Sequence, residues 1–233
     1  MDAMLERLAD PYNRSRIRQK IAEVGFNNFG RIESWADIRI AISPVANIEA
    51  GKTIAELAGE RGCDEVDAVC DIIIADKGST RILVRCMSED DVRRLAAEPT
   101  ALVGSDGPCV APYGITGQGK PHPRLYGTFP RLIGHYGRDL GLLSLPQVVY
   151  KMTGGAAKAL GMADRGVLRE GHAADLVLFD AEKIIDRARY DYPHQYPVGI
   201  DTVIVNGAVV IEKGEHSGAL PGRLLRRRGG VLN

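Results

Sequence analysis

Apolar positions recur at roughly helical spacing through residues 1–30, at Leu5, Leu8, Ile17, Ile21 and Val24. Pro11 interrupts the run, because it has no N–H and its ring crowds the preceding turn, and Gly25 stops it. The pattern therefore predicts two helices. From Trp35 to Ser43 the rhythm becomes alternating and rich in isoleucine, which predicts a strand. Residues 53–58 predict a short helix opened by Lys52 or Thr53. Residues 64–74 predict another, with Val66, Val69, Cys70 and Ile73 on one face, so Cys70 reads as a small core residue.

The rhythm changes again at RILVRC, residues 81–86, a short apolar strand. Ser88 precedes Glu89, Asp90 and Asp91, a capping oxygen followed by acidic residues in the first turn, and this helix stops before Pro99. ALVGS, residues 101–105, reads as a second buried strand. Strand, helix and strand in this order predict a βαβ unit with parallel pairing. A glycine- and proline-rich loop runs from Asp106 to about Tyr126, and helices follow at 128–136 and 146–160. From Gly166 the pattern turns to β. GVLREGHAADLVLFD predicts two short strands around a turn at Gly171. DTVIVNGAVVIEKG predicts a hairpin with Asn206-Gly207 at its turn, and GRLLRRRG a last strand. The class is α/β, with a division near residue 165.

Composition narrows the function classes. The chain has 233 residues, 45% hydrophobic and 26% charged, and 30 lysines and arginines balance 30 aspartates and glutamates. That balance argues against a nucleic-acid binder, which would carry a basic excess. The one basic cluster, Arg223, Arg226, Arg227 and Arg228, reads as a solvated edge or tail. No apolar run approaches the ~20 residues of a membrane helix, and the charged N-terminus has no apolar signal core. Cys63, Cys70, Cys86 and Cys109 form no Cys-x-x-Cys pair. Reduced thiols in a cytoplasmic protein are the expectation.

Several segments carry a resemblance. RILVRCMSEDDVRRLAAEPTALVGSDG is similar to the last two barrel strands of the amidohydrolase superfamily, ending in its Ser-Asp-Gly. KPHPRLYGTFPRLIGHYGRD resembles the loop and helix that follow in the N-acyl-D-amino-acid deacylase (D-aminoacylase) branch. KMTGGAAKALGMADRGVLREGHAADLVLFD resembles the final barrel helix and its passage into a β-sandwich. VGIDTVIVNGAVVIEKGEHSGALPGRLLRRR resembles the closing hairpin and tail, and IRQKIAEVGFNNFGRIESWADIRIAIS an insert between late barrel strands. The resemblance covers nearly the whole chain. It implies the C-terminal part of a TIM-like (β/α)8 metal-dependent hydrolase barrel in residues 1–165, with the insert, the last two strands and the final helices. Residues 166–233 would then contribute strands to a small β-sandwich.

The activity this implies is hydrolysis of the amide bond of N-acyl-D-amino acids, with zinc as the cofactor of the full-length enzyme. Such a reaction needs an activated water, a polarised carbonyl and an acid for the leaving amine. Asp106 follows a predicted strand, at the end of a barrel where active sites sit. From the residues alone it reads rather as an aspartate that caps a turn before Gly107; the resemblance makes it a metal ligand and general base. Arg124, in His-Pro-Arg, could be a surface loop residue; the resemblance makes it the clamp for the substrate carboxylate, which a planar guanidinium can grip with two parallel hydrogen bonds. The loop VAPYGITGQGK between them is atypical of the branch, so no side-chain preference carries over. His122 reads as a packing or hydrogen-bonding residue, and His135, His172, His194 and His216 as structural or exposed. Cys109 stands three residues after Asp106 and reads only weakly as a metal neighbour.

The sequence offers no His-x-His and no histidines paired at ligand spacing, so Asp106 has no companion ligands, whereas a catalytic zinc usually takes three from protein. A full barrel uses about 250 residues before any sandwich is added. The expectation is a chain that is inactive alone and works as part of a larger enzyme, with an N-terminal half chain as a possible partner. Two alternatives stand beside it: a non-catalytic subunit completing a split barrel, and a cyclic-amide hydrolase.

Overall fold

The computed structural model describes residues 1–26 and 32–225. The chain folds as two compact units, each assembled from separated segments. Residues 1–89, 109–123 and 189–194 form the first; 90–108, 124–188 and 195–233 form the second.

In the first unit, α1 (Asp2–Ala9) and α2 (Pro11–Val24) meet at Asp10. Asp10 caps α2 by accepting from the Tyr12 N–H at 2.9 Å, and Pro11 occupies the first turn, where no N–H is needed. Gly25 ends α2 with φ +70°, a left-handed angle that glycine adopts at little cost. Strand β1 (Ile38–Ile42) follows, then α3 (Ile54–Arg61) and α4 (Glu65–Ala75). Thr53 opens α3 in a reciprocal box: its hydroxyl accepts from the Glu56 N–H, and the Glu56 carboxylate accepts from the Thr53 N–H at 2.7 Å. Ile40, Ile54, Leu57 and Ile72 make the core, with Trp35, Ile38, Ile48 and Val69 packed on it. Cys70 is buried, as its place on the apolar face of α4 predicts.

Arg14 and Arg18 tie α2 to α4. Arg14 reaches Asp67 at 3.1 Å and Asp71 at 2.7 Å, and Arg18 reaches Asp64 and Asp67 at 2.5 Å. Asp76, 0% exposed, follows α4 and accepts from the Val45 and Ala46 N–H groups, both at 2.7 Å, and from the Thr80 hydroxyl at 2.5 Å. Burial pushes its carboxyl up, but these hydrogen bonds outweigh burial and hold it below its ordinary value.

Strand β2 (Arg81–Val84) pairs antiparallel with β1, Ile40 opposite Ile82. This corrects the expected parallel βαβ unit. Helix α5 (Glu89–Ala97) forms as predicted, but residues 101–105 are not a strand. The Ala101 carbonyl, which a ladder would use, instead accepts from the Lys151 ammonium at 2.8 Å.

In the second unit, α6 (Arg124–Arg131) continues into a π-helix, Leu132–Asp139, so the helix expected at 128–136 begins earlier and widens. Gly134 lets this helix lie close against the segment at Ile184. A Cβ there would lie 2.2 Å from the Ile184 carbonyl oxygen. The helix expected at 146–160 breaks at Thr153 into α7 (Leu145–Met152) and α8 (Gly154–Ala159). Thr153 turns its hydroxyl back onto the Val149 carbonyl at 2.7 Å, and two glycines follow it. Leu132, Ile133, Tyr136, Leu143, Val148 and Ile184 form the core, against which Phe179 and Ile200 of the sheet pack.

That sheet is antiparallel, in the order β3 (Leu176–Phe179), β4 (Ile200–Val205), β5 (Ala208–Glu212) and β6 (Glu215–His216). Asn206 and Gly207, at φ +48° and +81°, make the β4–β5 turn. Positive φ at both central residues matches the right-handed twist of the strands, hence the Asn-Gly preference. Only one of the two strands expected in 166–180 forms, since 166–170 lie outside the sheet. Residues 222–225 are not a strand either, and the rest of the expected last strand, with Arg226, Arg227 and Arg228, lies outside the described residues.

Candidate functional site

The second unit brings the two predicted site residues together. Asp106 sits at φ +48°, an uncommon angle for a residue with a Cβ. The next residue, Gly107, lies against Leu125, whose side chain a Cβ would meet at 3.3 Å. Arg124 opens α6, and its Nη2 reaches Asp106 Oδ2 at 2.9 Å. The helix beneath is fixed in place: Thr128 donates its hydroxyl to the Arg124 carbonyl at 2.9 Å, and Gly127 lies where a Cβ would be 2.7 Å from the Asp186 side chain. The pair itself is open, with side-chain exposures of 43% for Arg124 and 85% for Asp106. An exposed ion pair contributes about 0–1 kcal/mol, so a competing carboxylate can displace this one at small cost.

The other sequence candidates lie elsewhere. In the first unit, His122 Nε2 is 2.9 Å from the Tyr190 hydroxyl, with the rings edge to face at 5.1 Å. His194 Nε2 is 2.9 Å from the Gly119 carbonyl. Both bonds hold the glycine-rich loop, in keeping with the structural role expected of these histidines. Gly119 at φ +72° runs so close to β1 that a Cβ would lie 2.3 Å from the Ala41 oxygen. In the second unit, His135 packs edge-on against Tyr136 at 4.9 Å, and His216 Nδ1 accepts from the Gly218 N–H at 2.9 Å. The Nδ1 of His172 is buried with no hydrogen-bond partner among the described residues. Cys109 is exposed, and all four cysteines are free thiols.

Among the described residues, no group of three or more histidine, cysteine, aspartate or glutamate side chains comes together to hold a metal ion. A catalytic zinc usually takes three protein ligands, and Asp106 here faces an arginine. These residues do not fit a zinc ion by themselves.

Sequence reasoning missed Lys151. The residue is 4% exposed, yet its ammonium donates to the carbonyls of Glu98 and Ala101. A signal was present. Lys151 stands three residues after Val148, which is fully buried, so helical spacing puts both on one face of α7.

Residues 28–211 match the amidohydrolase family. The chain belongs to that family. D-aminoacylase of Alcaligenes xylosoxydans xylosoxydans is 41% identical over 178 residues, 76% of this chain and 34% of the relative. N-acyl-D-glutamate deacylase of the same organism is 39% identical over 197 residues, 84% of this chain and 38% of the relative. The amidohydrolase therefore spans little more than a third of the length of the relatives it matches. A crystal structure of N-acyl-D-glutamate deacylase from Bordetella bronchiseptica, complexed with zinc and a phosphonate that mimics the tetrahedral intermediate, superposes with a TM-score of 0.68 at 37% identity. It covers 79% of this chain and 36% of that one. No helix among the described residues is long and apolar enough to cross a membrane.

Proposed function

We propose that this chain is one part of an N-acyl-D-amino-acid deacylase, to which it contributes Asp106 as general base and Arg124 as the clamp on the substrate carboxylate. The observation that carries the proposal is the 2.9 Å approach of Arg124 to Asp106 across a loop of atypical sequence. A guanidinium that already holds one carboxylate in an exposed, exchangeable pair has the geometry to take another. Released from the arginine, Asp106 accepts a proton from the attacking water as the new C–O bond forms. It returns that proton to the nitrogen as the C–N bond breaks, so a carboxylate and a free D-amino acid leave.

Zinc belongs to this proposal at the level of the whole enzyme, where Asp106 would be one ligand among others supplied from outside this chain. In that enzyme, residues 1–165 complete a (β/α)8 barrel and residues 166–233 contribute to a small β-sandwich. The chain alone is inactive, because its described residues gather no metal-binding group. The complement is an N-terminal half, on the same or a second chain. Four free thiols suit a cytoplasmic setting.

The test is reconstitution. Residues 1–233 are assayed with zinc on N-acetyl-D-amino acids, alone and together with the N-terminal half of a relative. No turnover alone, turnover on combination, and its loss with Asp106→Ala are expected. Steady turnover by the isolated chain, or full activity of the Asp106→Ala combination, refutes the proposal.

A further inference from the structure

We infer that Lys151 is a positioning residue for Asp106: its buried ammonium takes the place of a neighbouring strand and sets where the Asp106 segment leaves the fold. The inference rests on the proposed role of Asp106. Residues 101–105 carry the aspartate but belong to no sheet. Something other than a ladder must hold them, because a free tether would let the carboxylate wander and a proton acceptor must be held to within a fraction of an ångström of its working position.

Among the described residues, four contacts hold the start of the segment. Lys151 donates from α7 to the Ala101 carbonyl at 2.8 Å, and also to the Glu98 carbonyl just beyond the end of α5. The Ala101 N–H donates to Glu98 at 3.1 Å, closing a tight turn. Leu102 lies where a Cβ on Gly155 would stand 2.9 Å from its methyl group, and Val103 packs on the core. The two apolar contacts set how deep the segment lies. Along the chain direction the start of the segment is fixed by the ammonium together with the Ala101–Glu98 turn, and its far end by the Arg124–Asp106 pair, because hydrogen bonds are directional and apolar packing is not; of these, the ammonium is the one that ties the segment to α7.

A buried charge is an expensive way to satisfy two carbonyls. An ordered water could bridge them, and an uncharged helix face would pack better. The sequence nevertheless puts a lysine on the buried face of α7, beside Val148. Its reach ties the far end of α5 and the start of the Asp106 segment to one fixed point on a helix. Lys151 does not touch the reacting atoms in this arrangement; it acts through the four residues that separate Ala101 from Asp106.

The test has two arms. In the 233-residue chain, amide hydrogen exchange of residues 101–107 is compared between wild type and Lys151→Met, which keeps an unbranched side chain of nearly the same length and removes its donors. At least tenfold faster exchange there is expected, with the β4–β5 hairpin unchanged; unchanged exchange at 101–107 overturns the inference. In the reconstituted enzyme, Lys151→Met is expected to lower kcat at least tenfold with KM within twofold, since the Arg124 clamp is intact. If Asp106→Asn abolishes turnover while Lys151→Met loosens the segment and leaves kcat untouched, the positioning role is wrong. If Asp106→Asn itself retains full turnover, the proposed role of the aspartate fails, and the exchange arm separately shows whether Lys151 holds the segment. Should Lys151→Met unfold the hairpin as well, Lys151→Gln, which keeps an uncharged N–H donor group on a shorter side chain, is measured instead. An intermediate, local loosening is the expected result, and global unfolding of both variants overturns the inference.

Discussion

Asp76 offers the sharpest test of how the first unit is held. Its carboxylate has no exposure, and it collects two backbone N–H groups of the Val45–Ala46 turn and the Thr80 hydroxyl. Asp76→Ala removes all three acceptor contacts. A hydrogen bond to a charged group contributes about 1.5–3 kcal/mol. The three share one network and do not add, and Val45 is 53% exposed, so water can reach part of the turn. A loss of about 2–4 kcal/mol is expected. Asp76→Asn should cost only about 1–2 kcal/mol. Both backbone N–H groups donate to the same oxygen, Oδ1, which asparagine keeps, and the Thr80 hydroxyl can rotate to accept from the new amide.

The assay is urea unfolding followed by fluorescence, because the single tryptophan, Trp35, packs on the core of this same unit. With a slope of about 2 kcal/mol per molar urea, the midpoint should fall by about 1–2 M for alanine and by less than 1 M for asparagine. The sign of the pH dependence follows from the lowered carboxyl. The charged form is favoured by folding, so its contribution is complete above the unfolded value of about 3.9 and fades as pH falls through the lower folded value. The gap between wild type and Asp76→Asn should therefore close in acid. Equal midpoints for the two variants at pH 7, or a gap that widens as pH falls, would refute this account.

Three further outcomes are expected. Hydrogen bonding to Arg18 lowers the Asp64 carboxyl to about 2, so an NMR titration should show it ionised to well below pH 3, and Arg18→Gln should return its midpoint toward about 3.9. Gly134→Ala drives a methyl into the Ile184 carbonyl, which as backbone cannot swing aside, and should cost about 1–3 kcal/mol or more in the second unit, read as a lower urea midpoint by circular dichroism; an unchanged midpoint counts against the tight packing there. In the reconstituted enzyme, Arg124→Ala should raise KM for N-acetyl-D-amino acids by about 10–100-fold, the loss of a charge-assisted pair of about 1.5–3 kcal/mol, and unchanged KM and kcat would remove Arg124 from the clamp.

Local chemistry made some elements legible before any coordinates. Lys52 or Thr53 marks the start of α3, which the structure places at Thr53, Gly25 the end of α2, and Asn206-Gly207 the hairpin, because each acts on its own few neighbours. Where the fold departs from the pattern, a distant group intervenes. ALVGS has the composition of a strand, but Lys151, fifty residues on from Ala101, takes its first carbonyl. Nothing in LIGHYGRD distinguishes a π-helix from an α-helix, and its close approach to Ile184 at Gly134 is a tertiary contact that the local pattern does not show. The candidate site was legible only through resemblance. Asp106 and Arg124 are far apart along a glycine-rich loop, and no periodicity connects them. The His122–Tyr190 bond spans 68 positions and left no local trace.

The way the two units share the chain has a consequence for synthesis. The loop 109–123 belongs to the first unit, but Tyr190 and His194, which bond to His122 and Gly119, come from the segment 189–194. A ribosome adds about 5–20 residues per second, so the segment follows the end of residues 1–89 by about 5–20 s. Through that interval the Arg14 and Arg18 clamps on α4 can already form, while the glycine-rich loop still waits for its anchors. The first unit is thus completed late and out of order, and no single cut in the gene would release either unit whole.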